Sequence, residues 1–468
     1  MKFALAGLAL LLTAPAPVDL TPTSIDQYIR AYIDRTGLPG AMIAVTKGDK
    51  VVFTSGYGHT SAGEPITKTT RMPVASLSKS FTALAATQLA EEGALDLDAP
   101  VRRYLPDFTM ADPRAASITV RQILNQTSGM SDKTFPELTL PAPGTLDEAA
   151  KMLRTAPLAG APGGKMRYHN PNYSLAARVV EAAAKQPFST YMAQKVFRPL
   201  GMAATTTVNT TKELPNQGEG YVRAYRTTIK RAHPTWFVNG SFGVISTADD
   251  LSRWLIAQNS PTKAMRTTQT PSGVDGSTYG MGWYAETSPG GTPMLRHTGW
   301  LLTHNAAQTV IPSTGYGLAV VTNTGMVSGD DAAVITSGLV DLLEGREDTA
   351  AEPFTMTADP VLALLMLLDL ALVGLGVARA RRWAARHHGR RMAVRLAPHA
   401  LPVALFLLLP QLFVVLMNRV GTLGQLSYVW PALFVTTAAA AAGSVTLVAT
   451  RLARSYQARA HRRASGAS

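Results

Sequence analysis

Three long apolar stretches near the C-terminus, residues 360–378, 396–417 and 428–450, constrain this chain more than any other feature. Each has the roughly 20 residues that a helix needs to cross a bilayer. Arginine sets their direction. Arg379, Arg381, Arg382, Arg386, Arg390, Arg391 and Arg395 fill the first connection, Arg419 stands alone in the second, and Arg451, Arg454, Arg459, Arg462 and Arg463 fill the tail. Positive charge stays on the cytoplasmic side, so the first connection and the tail are predicted inside and the second connection outside. Trp383, Tyr428 and Trp430 fall at the predicted interfaces. Asp369 lies mid-span, where a charge needs a partner within the bundle, and Ala439 and Gly443 permit close helix approach.

The N-terminus agrees with that topology. Lys2, the apolar run 3–12, and Ala14 and Ala16 read as a signal peptide over residues 1–16, or as a short anchor. The predicted organisation is a body at 17–353 outside the cytoplasm, a polar linker at 354–359, and a multi-pass membrane region at 360–468 that moors it. Lipid is therefore an expected partner. Nucleic acid is not. The chain carries +13 overall, but residues 360–468 hold thirteen Arg and a single acidic residue, leaving the body near neutrality. With no cysteine in 468 residues, a disulfide framework and thiolate metal sites are excluded.

Within the body, Ser24 opens a helix carrying Ile25, Tyr28, Ile29, Tyr32 and Ile33 on one face, and Gly37 ends it. Residues 41–46 and 51–54 flank Lys47-Gly48-Asp49-Lys50 as a hairpin. Residues 96–211 are mostly helical, with helices near 117–125, 172–184 and 188–197. Strand character returns at 308–311 and 317–322 around a second hairpin turn, and a helix over 330–343 closes the body. This order predicts an α+β (α/β) fold. An antiparallel sheet built from both chain ends is flanked by helices beside a mostly helical insertion, and a cleft between them is the natural site.

Chemistry enters at Ser76-Leu77-Ser78-Lys79. Phe81, Leu84, Ala85 and Leu89 recur at helical spacing after it, and Gly93 marks the stop. Ser76 and Lys79 therefore share one helix face, where an amine can take a proton from a hydroxyl. Tyr168-His169-Asn170 follows in the insertion, and His297-Thr298-Gly299 at the start of the late strands. With these three motifs in order, the chain resembles the serine β-lactamase and penicillin-binding superfamily, most closely its class C branch. Asn125-Gln126-Thr127-Ser128-Gly129, Gly240-Ser241-Phe242-Gly243 and Tyr279-Gly280-Met281-Gly282-Trp283 carry the same resemblance. Gln126 departs from it where that family often has His, with a structural consequence only.

The resemblance implies a β-lactamase-like fold and acyl transfer without metal or cofactor. Ser76 is then the nucleophile. Lys79 is the proton acceptor, with Tyr168 sharing that role and serving the leaving group. Asn170 orients Lys79 or the substrate, or else is a turn former before Pro171. The backbone N–H groups of Ser76 and Trp300 form the oxyanion hole. His297, Thr298, Gly299 and Trp300 line the substrate, which is a small molecule or peptide. Because His297 replaces a permanent cation, the expectation moves from C-terminal carboxylates toward esters or N-acyl amides. His169, His233 and His304 belong to no motif. The layout is also similar to prodrug-activating D-amino peptidases, which implies an exporter or other membrane protein nearby. The competing expectations are a penicillin-recognising receptor and a D-alanyl-D-alanine carboxypeptidase or β-lactamase.

Overall fold

A computed structural model describes residues 18–259, 270–272, 276–325, 331–346, 352–417 and 419–465; the signal segment at 1–16 lies outside them. Helix α1 (Pro22–Thr36) starts two residues before the predicted Ser24. Thr21 is its cap, and Ser24 closes a reciprocal capping box three residues in. Gly37, in the left-handed conformation, ends it as expected.

Strands β1 (Gly40–Lys47) and β2 (Lys50–Gly58) form the first hairpin. A second hairpin, β3 (Gly220–Ala224) and β4 (Thr227–Arg231), stands apart from the main sheet. The main sheet adds β5 (Thr270–Pro271), β6 (Thr278–Gly280), β7 (Trp283–Thr287), β8 (Pro293–Trp300), β9 (Asn305–Ile311) and β10 (Tyr316–Thr322). Among the described residues it has eight strands in the order β2-β1-β10-β9-β8-β7-β6-β5, all antiparallel. Strands from both chain ends therefore pair within it, β1 against β10, as the sequence order implied.

Period-two alternation divides each central strand between two cores. Ala41, Ile43 and Val45 of β1 face α1 and the closing helix α5 (Asp331–Leu343), while Met42 and Ala44 face the helical side. On that side lie α2 (Ser78–Glu91), α3 (Pro171–Ala184) and α4 (Ala248–Gln258). Helix α2 is buried on nearly all faces, so it runs through the core rather than over it. Phe81 stacks on Trp254 with centroids 3.8 Å apart. The Trp254 indole donates to Gln308 (2.9 Å), whose amide donates to Ser80 (3.0 Å). Three elements are thereby pinned around the helix that carries the motif.

The membrane region differs from expectation in three places. Residues 354–359 are not a linker, because α6 (Phe354–Ala378) already begins there. Pro360 leaves the Met356 carbonyl without its helical donor, and Arg226 of the body donates to it instead (3.3 Å). Asp359 accepts from the Tyr225 N–H (2.8 Å) and the Trp430 indole (2.9 Å). The second span is broken. Helices over 389–407 and 409–415 meet at 55°, just before Pro410. The third stretch splits at Trp430-Pro431 into α7 (Leu423–Val429) and α8 (Pro431–Ser465). By length and composition two helices can cross a membrane, and three if the bent pair is one span. Gly443 of α8 admits Val373 and Asp369 of α6, the close approach that its small size predicted.

Tyr428 and Trp430 grip the body. Tyr428 donates to the Ala232 carbonyl (2.8 Å), and the Arg231 guanidinium lies 3.7 Å over its ring. The C-terminal region is thus packed against the body. On the far side of the second hairpin, buried Arg223 pairs with Asp331 (3.0 Å), which also accepts from Tyr32 and Thr324. Removing one partner of such a pair strands a buried charge. Arg223→Met is expected to destabilise the protein by about 3–5 kcal/mol, measured as a lower unfolding midpoint of the full chain in detergent, with part of the loss recovered in Arg223→Met/Asp331→Leu. An unshifted midpoint would contradict the pair's structural role.

Candidate active site

Ser76 sits one turn earlier than a simple helix start would place it. It lies in a 3-10 turn, Ala75–Leu77, whose last residue caps α2. Ala75 holds a left-handed backbone (φ 48°), a conformation costing a non-glycine residue on the order of 1–3 kcal/mol. Packing and hydrogen bonds hold it there. Ala75 is buried with Leu301 and Phe242, its carbonyl accepts from Ser78 Oγ (2.6 Å), and Ser78 Oγ accepts from the Val244 N–H (2.9 Å). Strand β8 passes directly alongside. A Cβ added at Gly299 would lie 2.7 Å from the Val74 carbonyl oxygen and 2.8 Å from Ser76 N. Glycine is therefore the residue that lets the third motif touch the nucleophile's turn. The Met281-Gly282 turn closes on α2 in the same way, since a Cβ at Gly282 would meet Ser80 N at 2.5 Å.

Lys79 follows one turn after Ser76 and is fully buried. Its Nζ has three oxygen neighbours: Ser76 Oγ (2.9 Å), Asn170 Oδ1 (3.0 Å) and the Ser241 carbonyl (3.0 Å). Among the described residues no carboxylate pairs with it. Burial holds its pKa well below the ordinary lysine value, the nearby Arg419 adds to that, and Glu137 opposes it. Releasing a lysine proton at pH 7 costs about 5 kcal/mol. Burying an ammonium without a counter-ion costs several kcal/mol even after relaxation. This environment therefore favours the neutral amine.

The hydrogen-bond inventory then fixes a proton. A neutral amine has two N–H bonds and one lone pair. Asn170 Oδ1 and the Ser241 carbonyl can only accept, so they take both N–H bonds. In the structure Nζ donates to Ser76 Oγ as well (2.9 Å); with the amine neutral and both N–H bonds kept on the carbonyls, its lone pair is free to accept from the Ser76 hydroxyl. Tyr168 lies on the other side of Ser76. Its hydroxyl hydrogen-bonds Ser76, its ring sits 4.8 Å from Lys79 Nζ, and burial raises its pKa to about 12. Tyr168 is thus a phenol at neutral pH.

Asn170 heads α3 without capping it. Its side chain instead accepts from Lys79 and donates to Glu137 Oε1 (2.9 Å). His169 points away from the nucleophile, toward the Phe135 carbonyl (2.9 Å) and Glu137 (3.1 Å). Gln126 accepts from the His169 N–H and the Asn172 amide, a structural role as expected. His297 is buried with its ring 6.1 Å from that of Tyr168, and burial lowers its pKa to about 3. It is neutral, as the substitution of a cation implied. Thr298 is exposed, and Trp300 lies near Trp236 with ring centroids 6.5 Å apart.

Two participants escaped the motifs: Glu137 lies in an irregular loop, and Arg419 comes from the apolar C-terminal region. Ser241 lies in a quoted stretch, but its part is played by a backbone carbonyl, which no residue type announces. Asp132, Glu137 and His169 lie close enough to suggest a metal site. However, the His169 Nε2 atom also meets a carbonyl, and the chain's own donors already engage both carboxylates: the Val420 N–H at Asp132, and Arg419 and Asn170 at Glu137. The donor set does not fit a cation.

A serine joined to a buried amine and a phenol, on a helix packed against an antiparallel sheet, marks the class of active-site-serine proteins with a β-lactamase-like fold. A family model described as Beta-lactamase matches residues 25–337, and the chain belongs to that family. It is 28% identical over 314 residues to Protein flp of Staphylococcus aureus (strain N315), covering 64% of this chain and 62% of that protein. Esterase EstB of Burkholderia gladioli is 28% identical over 320 residues, covering 58% of this chain and 80% of that one. The octameric penicillin-binding protein homologue from Pyrococcus abyssi shares the fold with a TM-score of 0.59 and 22% identity, over 73% of this chain and 81% of that one.

Gly299→Ala is expected to slow covalent labelling of Ser76 about 100-fold by displacing its turn, with cooperative unfolding retained. Unchanged labelling by a fluorophosphonate would mean that β8 does not constrain the nucleophile.

Proposed function

We propose that this chain is a membrane-tethered serine hydrolase that works outside the cytoplasm and cleaves an amide or ester through an acyl-enzyme. The observation that carries the reading is the buried Lys79 amine, whose Nζ lies 2.9 Å from Ser76 Oγ and 3.0 Å from the carbonyl oxygens of Asn170 and Ser241.

In the first step Ser76 Oγ attacks the substrate carbonyl carbon and its proton passes to Lys79 Nζ. The developing oxyanion is taken by the backbone N–H groups of Ser76 and Trp300. Collapse breaks the bond to the leaving group. The Tyr168 phenol hands its proton to the departing nitrogen or oxygen, and the proton held on Lys79 refills Tyr168, leaving the amine neutral again. Water then attacks the ester carbonyl as its proton passes to the same pair, and collapse releases the acid and expels Ser76 Oγ, which takes that proton back. His297 and Thr298 border the leaving-group side.

Beside Asn170 lies a small cavity of about 40 Å³, lined in part by Phe135, Leu138, Met152, Trp236, Phe237 and Phe242. Its apolar wall favours an apolar group on the substrate, as in N-acyl amides, including N-acyl-D-amino acids, and acyl esters. A neutral His297 offers no charge to a substrate carboxylate, which weighs against the carboxypeptidase reading. The arginine distribution supports a cytoplasmic tail and an exterior body. Leu364, Leu368 and Leu372 expose apolar faces on α6 that suit lipid. An exporter neighbour rests on layout alone.

Two outcomes test this. A fluorophosphonate is expected to label the wild-type chain, and Ser76→Ala to abolish labelling with the fold intact; persistent labelling would remove Ser76 from its role. The labelling rate is expected to rise with pH and level off well below the ordinary lysine pKa, because the reactive form needs Lys79 neutral and its pKa is lowered. A rate still climbing at pH 10 would contradict the neutral base. On a substrate panel, nitrophenyl acyl esters and N-acyl-D-amino-acid amides are expected to turn over. A single burst on nitrocefin without turnover would instead favour a penicillin-recognising receptor.

A further inference from the structure

Where the second and third membrane stretches connect, the chain turns back onto the body beside the catalytic centre. The Arg419 guanidinium lies 3.7 Å from Glu137 Oε1. The next residue, Val420, donates its N–H to Asp132, and the Gln425 amide donates to the Leu138 carbonyl (2.7 Å). The loop over 132–138 is thus held from outside by the membrane region at three points. Apolar packing runs alongside: Leu409, Phe413, Leu426 and Val429 share one cluster with Trp236, Phe242, Leu301 and Ala75, the last being the residue before the nucleophile.

Glu137 is also held from the inside. Its Oε1 accepts from Asn170 Nδ2 (2.9 Å), and the Oδ1 atom of the same side chain accepts from Lys79 Nζ (3.0 Å). A continuous polar chain therefore runs Arg419–Glu137–Asn170–Lys79–Ser76. Resting on the hydrolase reading above, we propose that the loop between the second and third membrane stretches completes the active site. Arg419 is a positioning residue that fixes Glu137 and, through Glu137 and Asn170, the Lys79 amine.

The electrostatics give this a signature that mere stability would not. Lys79 is faced by Ser76, by Tyr168 and Asn170, by Tyr173 of α3, by the Ser241 carbonyl and by His297, with Glu137 and Arg419 as the charges behind them. Glu137 is faced by Asp132, His169, Asn170 and Arg419. Burial would raise the Glu137 carboxyl, but His169, Arg419 and Asn170 outweigh it and hold it at about 2. Glu137 is therefore an anion that favours a protonated Lys79, and Arg419 is the cation that offsets it. Removing either charge shifts the Lys79 titration in opposite directions.

The test is the pH profile of fluorophosphonate labelling of the full chain in nanodiscs. Arg419→Gln is expected to move the midpoint up by about one unit, slowing labelling about tenfold on the acid limb while the alkaline plateau is nearly kept. Glu137→Gln is expected to move it down, Arg419→Gln/Glu137→Gln to return near wild type, and Arg419→Lys to keep the wild-type midpoint. Should Arg419→Gln not fold, Glu137→Gln still tests the sign from the other side. A wild-type profile in Arg419→Gln overturns the proposal and leaves the hydrolase reading standing. So does an equal slowing at every pH in both single variants, which marks a structural role only. Failure of the wild type to label at Ser76 sinks the hydrolase reading and this inference together.

Discussion

Two carbonyl oxygens, from Asn170 and Ser241, claim both N–H bonds of a buried amine, and the rest of the centre depends on that constraint. They leave Ser76 Oγ as the third oxygen at Nζ, the only one of the three that can also donate. Burial without a counter-ion favours the neutral amine, the state that the proposed general base needs. The remaining features protect this arrangement. The strained Ala75 turn presents Ser76, Gly299 and Gly282 let strands close on the helix, and Tyr168 caps the hydroxyl from the far side.

Much of this was legible from residue types at fixed spacing. Ser76 and Lys79 at i and i+3 announced a shared face, and the Tyr168 and His297 motifs came to the same place. The hairpins at both chain ends announced a sheet built from both, and β1 does pair with β10. What stayed hidden has physical reasons. Strand β8 contains Pro293 and Gly299, both weak strand formers, because closeness to the nucleophile outweighs propensity there. Hairpin β3–β4 turns through Tyr225-Arg226, both at positive φ as a two-residue I′ turn requires, without the Asn-Gly type of sequence that announces such a turn. The carbonyl of Ser241 carries no side-chain signature, and Glu137 acts through Asn170 at a separation of 33 residues.

The C-terminal helices were legible as apolar length, but their relation to the body was not. Hydropathy says nothing of what the connecting turns touch. Here Asp359 joins Tyr225 to Trp430, Arg231 covers Tyr428, and Arg419 reaches Glu137. Body and bundle share one apolar cluster that includes Ala75, so a perturbation of the bundle's outer turn has a short path to the nucleophile. The orphaned carbonyl at Met356 shows the same interdependence, since a helix interrupted by Pro360 borrows its donor from the body.

The most direct test of the account is the protonation state of one amine. NMR of isotope-labelled lysine in the full chain, with Lys79 assigned by comparison with Lys79→Arg, would follow its titration. The account requires a neutral Lys79 at pH 7, titrating far below the surface lysines. A Lys79 that stays charged up to pH 10 would contradict it.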